Sequence, residues 1–206
     1  MIHAPSVVLP GRSEARRARS TSARLVVTPA NLGTGAFARL IRDGALQELS
    51  AGVAASQSLA ALPHVRAAAL AHLVPRRGVL TGLSALWVHG WLSEAPLPAP
   101  VTVAAITGVR LSEPVGAHIP WRAVIHDGSI TYATSVGAIP VALPEPAVAM
   151  ALSHDALEQA IPAAWWALTH CHVSTRAIGE LLPRRGPTAR RASAAWRTVT
   201  AAWNEA

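Results

Sequence analysis

The chain has 206 residues, long enough for one large domain or two small ones built around a real hydrophobic core. Apolar residues make up 51% of it, but alanine dominates that share and seven of the nine aromatic residues are tryptophan, so the core must hang on a few Trp anchors. All 18 basic residues are arginine and the net charge is +7, which excludes chemistry that needs a lysine and favours phosphate-rich partners.

The charge is unevenly placed. Residues 1–24 carry five arginines against Glu14, a net of +4, and residues 184–206 carry five against Glu205, again +4. The body between them holds eight arginines and nine acids, a net of −1. Basic ends on a near-neutral body attract phosphate backbones or anionic surfaces, or serve only as solvated tails. The single cysteine, Cys171, rules out an internal disulfide and fits a reducing compartment. The most apolar window, Val136 to Leu152, is interrupted by Pro140, Pro144, Glu145 and Pro146, so no transmembrane span is expected. The apolar run Val7 to Leu9 is too short for a signal peptide, and a cytoplasmic location follows as the expectation.

Met1 to Arg24, rich in Arg, Ser and Ala, has no apolar stripe and reads as a basic flexible tail. Residues 25–60 form a separate small unit. Thr28-Pro29 starts a short helix that Gly33 closes, and Thr34 caps a second helix, Gly35 to Asp43, ended by Gly44. Phe37, Leu40 and Ile41 are its buried stripe, leaving Ala36, Arg39, Arg42 and Asp43 outside. Two short helices around a glycine turn are the unit used by helix-turn-helix DNA binders and also an ordinary helical hairpin. Leu46 to Ala54, turning at Ser50-Ala51-Gly52, suits either a further helix or a small β-hairpin.

Residues 61–206 read as a mixed core. Pro63 begins a helix that turns Val65, Ala69 and Leu73 inward. Arg76 to Trp91 then enters through a basic turn, passes a short apolar run and becomes a helix apolar on nearly every side. Leu83, Leu86, Trp87 and Trp91 make one stripe, and Ala85, Val88 and Leu92 a second. His89 on this helix reads as a neutral buried histidine with a backbone partner. Val101 to Ile106 is a strand, Trp121 to Tyr132 a hairpin turning at Asp127-Gly128, and Ala138 to Ala142 one more strand. Beyond Pro146 the chain is helical: Ala147 to Leu152, Asp155 to Thr169 with a kink or break at Pro162, Ser174 to Leu182, and a last helix capped by Thr188. That last helix turns Trp196, Val199 and Trp203 to the body. The fold class is α/β (α+β), a small sheet with helices and a helical C-terminus.

Catalytic and cofactor signals are sparse. There is no phosphate loop with a lysine, and no cofactor or metal is expected. His170-Cys171-His172 has metal-ligand residue types without a second group at a binding spacing. Asp127, Glu145 and Asp155 would have to converge in space to hold a catalytic cation.

The layout resembles the AbiEi-type antitoxins of type IV toxin–antitoxin systems, in their high-GC bacterial form without the C-terminal endonuclease-like domain. Gly78-Val-Leu-Thr-Gly-Leu-Ser-Ala-Leu-Trp-Val-His-Gly-Trp91 is similar to that family's apolar strand followed by Ser-Ala-Leu-Trp-Leu-His-Gly, and Gly137-Ala-Ile-Pro-Val141 to its Gly-Ile-Pro-Val. Thr28 to Leu32 resembles its first scaffold helix, Thr34 to Gly44 its recognition helix and Ala45 to Ala54 its wing. The chain departs from the family in the wing, where Ser50-Ala51-Gly52-Val53-Ala54 stands in place of Arg-Arg-Gly-Val-Tyr, and after Val141. The resemblance implies a non-catalytic transcriptional regulator that binds DNA, its own promoter region, and opposes a nucleotidyltransferase-like toxin. Thr34, Arg39 and Arg42 would face the DNA. Arg12, Arg16, Arg17 and Arg19 would add backbone contacts, and Arg76, Arg77, Arg184, Arg185, Arg190 and Arg191 secondary basic contacts. Two other readings are a protein-interaction module with a degenerate DNA-binding unit and an enzyme related to nucleotidyltransferases or nucleases.

Overall fold

The structure, a computed structural model, describes residues 25–75, 77–92, 97, 99–105, 111, 120–124, 133–136 and 139–205. Two short helices come first, α1 (Pro29–Leu32) and α2 (Thr34–Arg42). Thr28 N and Oγ1 both donate to Asn31 Oδ1, at 3.0 and 2.9 Å, and Pro29 presets the first turn of α1. Gly33 lies between the helices with φ +79°, a left-handed conformation that a side chain would strain.

Leu46 to Ala54, open to two readings in the sequence, is a hairpin. Strands β1 (Leu46–Ser50) and β2 (Val53–Ser56) pair antiparallel with an irregularity between Glu48 and Ser50. A single bridge from Val27 to Ala54 ties the segment before α1 to this ribbon. Helix α3 (Pro63–Leu70) follows, then β3 (Gly78–Leu80) and α4 (Gly82–His89).

The main sheet has five strands in the order β5-β4-β3-β7-β6, with β4 at Val101–Ala105, β5 at Trp121–Val124, β6 at Ala133–Val136 and β7 at Ile139–Ala142. It is mixed: β3 pairs antiparallel with β4 and parallel with β7, β4 runs parallel to β5, and β6 returns antiparallel on β7. Of the hairpin expected over Trp121 to Tyr132, the described residues include its first strand, β5. Its turn and far side lie outside the described residues, and the next described strand, β6, is at the opposite edge of the sheet.

Four helices close the fold: α5 (Pro144–His154), α6 (Leu157–His170), α7 (Thr175–Leu181) and α8 (Gly186–Glu205). Helix α5 starts earlier than its apolar pattern suggested, because Pro144 and Pro146 sit in a first turn whose N–H groups need no helical partner. Pro162 does not divide α6, which is one helix with the proline in its second turn. On α8, Ala189, Ala192, Trp196 and Val199 face the body, and Trp203 meets Trp165 edge to face at 5.2 Å. The class is α/β. No helix among the described residues is long and apolar enough to cross a membrane.

The core centres on α4. Gly82 through Val88 are all buried, and Trp87 and Leu86 have no exposed surface. Leu92, expected on its second stripe, is 43% exposed, because the helix ends at His89 and Gly90 (φ +119°) turns the chain away. Leu49, Val53 and Ala55 of the hairpin belong to the same hydrophobic cluster as α4 and the sheet.

Candidate nucleic-acid interface

Helix α2 is amphipathic in the expected sense. Phe37 is its one buried residue, and Leu40 and Ile41 are half-buried. The opposite face carries Arg39 and Arg42, and both they and Thr34, which is the first residue of the helix and not its cap, are exposed. Both arginines lean on one carboxylate: Arg39 Nε lies 3.4 Å from Asp43 Oδ2, and Arg42 Nε 3.7 Å from Asp43 Oδ1. Their side chains are 74% and 76% exposed, so these pairs are water-screened, contribute roughly 0–1 kcal/mol and exchange readily for another anion.

The hairpin that follows does not project a tip beside α2 as a DNA-reading wing would. Ser50 and Val53, which flank its turn, are buried. Ser50 Oγ donates to Ala69 O on α3 at 3.4 Å, Gly52 N donates to Glu48 Oε1 at 3.0 Å, and Leu97 N donates to Leu49 O at 3.2 Å. A Cβ on Gly52 would lie 3.9 Å from Pro29 at the start of α1. Only Ala51 at the turn is exposed. The turn is held to the body through Ser50 and Val53, and neither Ser50 nor Ala51 supplies a cation there.

Of the basic residues away from α2, Arg77, Arg184, Arg185 and Arg190 are exposed, while Arg12, Arg16, Arg17, Arg19 and Arg76 lie outside the described residues. Arg191, expected among the secondary basic contacts, has partners within the molecule. It is half-buried, Nη1 donates to Ser153 O at 3.3 Å, and Nη2 donates to Asp155 O. Its guanidinium satisfies carbonyls at the end of α5, where the helix dipole is negative, so it anchors α8 to the body.

Those carbonyls belong to a buried polar centre. Asp155, 3% exposed, accepts from Leu83 N at 2.8 Å through Oδ2 and from Thr102 Oγ1 at 2.9 Å through Oδ1. Arg122 Nη1 lies 3.4 Å from Oδ1 and donates to His154 O. Thr102 N in turn donates to Ser84 Oγ at 3.2 Å. The carboxylate therefore caps the N-terminus of α4 from another helix. Burial pushes its pKa up, against the downward pull of the Leu83 and Thr102 hydrogen bonds and the Arg122 and Arg191 charges. Gly82 makes the close approach possible: φ is +59°, and a Cβ there would sit 2.4 Å from Asp155 Oδ2.

The other end of α4 meets a buried cation. Arg66 on α3 is fully buried and donates to Trp87 O, to Trp91 O at 3.4 Å and to Leu92 O at 3.5 Å, with Nε reaching Ala60 O at 3.2 Å. Its Cζ lies 4.5 Å from the Trp87 ring centroid, a cation–π contact. Desolvation lowers its pKa to about 10, so it is charged at neutral pH. Sequence reasoning missed both groups. The signal for Arg66 was its place as the one charged residue among Val65 to Leu70; for Asp155 no local signal exists, because its partners lie 72 and 53 residues away.

Among the described residues no catalytic constellation forms around these groups. Glu145 and Asp155 stand at opposite ends of α5, about 15 Å apart along a helix rising ~1.5 Å per residue, and Asp127 is outside the described residues. Among the described residues no three His, Cys, Asp or Glu side chains gather as a metal site would require. His170 Nδ1 is 3.0 Å from both Trp166 O and Thr169 Oγ1. His89 Nε2 is 2.8 Å from Ala142 O, the backbone partner expected of it.

No family model matches the chain, and no curated protein matches it. Among solved structures it is similar to the crystal structure of the Rv2827c protein from Mycobacterium tuberculosis, at 18% identity and a TM-score of 0.46 over 95% of this chain and 79% of that one, a likeness too slight to carry a functional argument.

Proposed function

We propose that the protein is a non-catalytic, antitoxin-like transcriptional regulator that binds DNA through α2. The observation that carries this reading is the helix's outward face: Arg39 and Arg42 are exposed there, with Thr34 exposed at its first turn, while Phe37 fastens the opposite face. A short helix with arginines on its free side suits a major groove, where guanidinium groups reach guanine edges and phosphates. With the hairpin turn docked inward, base contact rests on α2, and Arg12, Arg16, Arg17 and Arg19 of the basic N-terminal stretch supply phosphate contacts. The resemblance to AbiEi-type antitoxins supports its own promoter region as the target and opposition to a nucleotidyltransferase-like toxin as the cellular role.

One observation favours a second reading, a protein-interaction module. Within residues 25–60 the two arginines are balanced by Asp43 and Glu48, so this unit has no net charge of its own. Mobility-shift titration on the DNA upstream of the gene separates the readings. Retarded duplex that Arg39→Ala with Arg42→Ala abolishes supports the regulator; a protein partner retained in pull-down, with no duplex bound at low salt, supports the module.

A further inference from the structure

Apart from Arg77, exposed just before β3, the described arginines fall into three groups by what they touch. Arg66, Arg122 and Arg191 donate to buried carbonyls and to Asp155. Arg39 and Arg42 share Asp43, and Arg176 pairs with Glu180 at 2.9 Å. Arg184, Arg185, Arg190 and Arg197 are exposed, and none of them forms an ion pair with another described residue. All four lie on α8 or in the two residues that precede it.

The placement of Arg184 and Arg185 opposes the helix's own stability. An α-helix carries partial positive charge at its N-terminus, where acidic residues are favourable and cations are not. Helix α8 has no acid in its first turn and enters directly from Arg184 and Arg185. Arg190 and Arg197, seven residues apart, fall on one side of the helix about 10 Å from each other, at ~1.5 Å per residue. Ala194 lies between them and Ala201 beyond, both exposed and too small to hold an extended anion away. Arg191, turned inward to Ser153 O and Asp155 O, fixes the rotation of α8 that leaves its neighbour Arg190 outside.

We infer that this face of α8 is a second, sequence-independent binding surface for the phosphate backbone of nucleic acid, with Arg184, Arg185, Arg190 and Arg197 as its contacts. A line of unneutralised guanidinium groups with small residues between them matches a linear array of phosphates and reads no base edge. The inference rests on the nucleic-acid reading given above but assigns a different element and a different kind of contact: α2 selects sequence, and α8 adds affinity on any sequence.

The test measures binding to a mixed-sequence duplex and to the upstream duplex across a range of salt, for the full chain and two variants. One carries Arg184→Gln, Arg185→Gln, Arg190→Gln and Arg197→Gln; the other carries Arg39→Ala and Arg42→Ala. The four-fold α8 variant is expected to lose affinity equally on both duplexes, with the slope of log affinity against log salt reduced by about 3 to 4. The α2 variant is expected to lose preference for the upstream duplex while keeping most of the salt slope. An α8 variant that unfolds at the wild-type temperature and binds the mixed-sequence duplex as wild type does overturns the inference and leaves the α2 reading standing. Loss from the α8 variant with an α2 variant that still prefers the upstream duplex does the reverse. Wild-type protein that binds anionic phospholipid vesicles and neither duplex overturns both.

Discussion

Helices α2 and α4 are nearly equal in length, nine residues and eight, and the chain uses them in opposite ways. Helix α4 is buried on every side, and its two ends, which carry the orphan N–H and C=O groups of any helix, are closed by Asp155 and Arg66 from other elements. Helix α2 is held by Phe37 and two half-buried neighbours, and its charges face water. Charge in α4's surroundings is structural and cannot be exchanged for a ligand without opening the core. Charge on α2 is weakly engaged and free to change partners. The most recognisable stretch of the sequence is therefore scaffold, and the partner-binding role proposed above falls to a helix whose charges face water.

That contrast is open to attack, most strongly at Trp87. With no exposed surface and Arg66 over its ring, Trp87→Ala should cost about 3–5 kcal/mol by denaturant unfolding. A loss under ~1 kcal/mol would remove α4 from the centre of the core. Asp155→Ala comes next. It leaves Leu83 N and Thr102 Oγ1 without their acceptor and Arg122 without its counter-charge, for a loss of roughly 3 kcal/mol. Gly82→Ala probes the same contact without removing it. The added Cβ must displace the carboxylate from 2.4 Å in a backbone conformation that already disfavours a side chain, at a cost of about 1–3 kcal/mol. Wild-type stability in Gly82→Ala would mean that Asp155 does not hold α4 as closely as described.

Much of this division was legible in the sequence, for local reasons. Periodicity placed the apolar faces of α2 and α4 because a helix shows its environment at 3.6-residue spacing. The ends of α4 were illegible, because they are closed by residues far away in sequence: Arg66 from α3, and Asp155 from the end of α5. The hairpin was half legible. Its turn could be read at Gly52, but a turn whose flanking Ser50 and Val53 are buried, with Ser50 against Ala69, has the same small residues as one in solvent. Arg191 and Arg190 illustrate the limit for charge, since adjacent identical residues face opposite ways on α8 and only the packing of that helix on α5 decides which is free.

The smallest stability effect in α4's surroundings is expected from pH. Burial pushes the His89 pKa below its ordinary 6.5, against the Ala142 hydrogen bond and the Glu145 charge, which pull it up. A histidine with a depressed folded pKa contributes stability that is present above 6.5 and lost as pH falls through the folded value. Asp155, with its pKa raised, acts in the opposite sense, its share being lost as pH rises through its folded value. Unfolding free energy followed downward from pH 7 should therefore fall below pH 6.5 in the wild type and fall less in His89→Gln. An identical slope in both proteins would show that His89 does not titrate against the fold.

The central claim is that α2 meets the partner while α4 holds the molecule, and one paired measurement tests it directly: thermal unfolding and upstream-duplex affinity, side by side, for wild type and for the protein carrying Arg39→Ala and Arg42→Ala. Both side chains are about three-quarters exposed, so removing them should change stability by less than ~1 kcal/mol while duplex binding is lost. Binding that survives unchanged in a folded double variant would contradict the account.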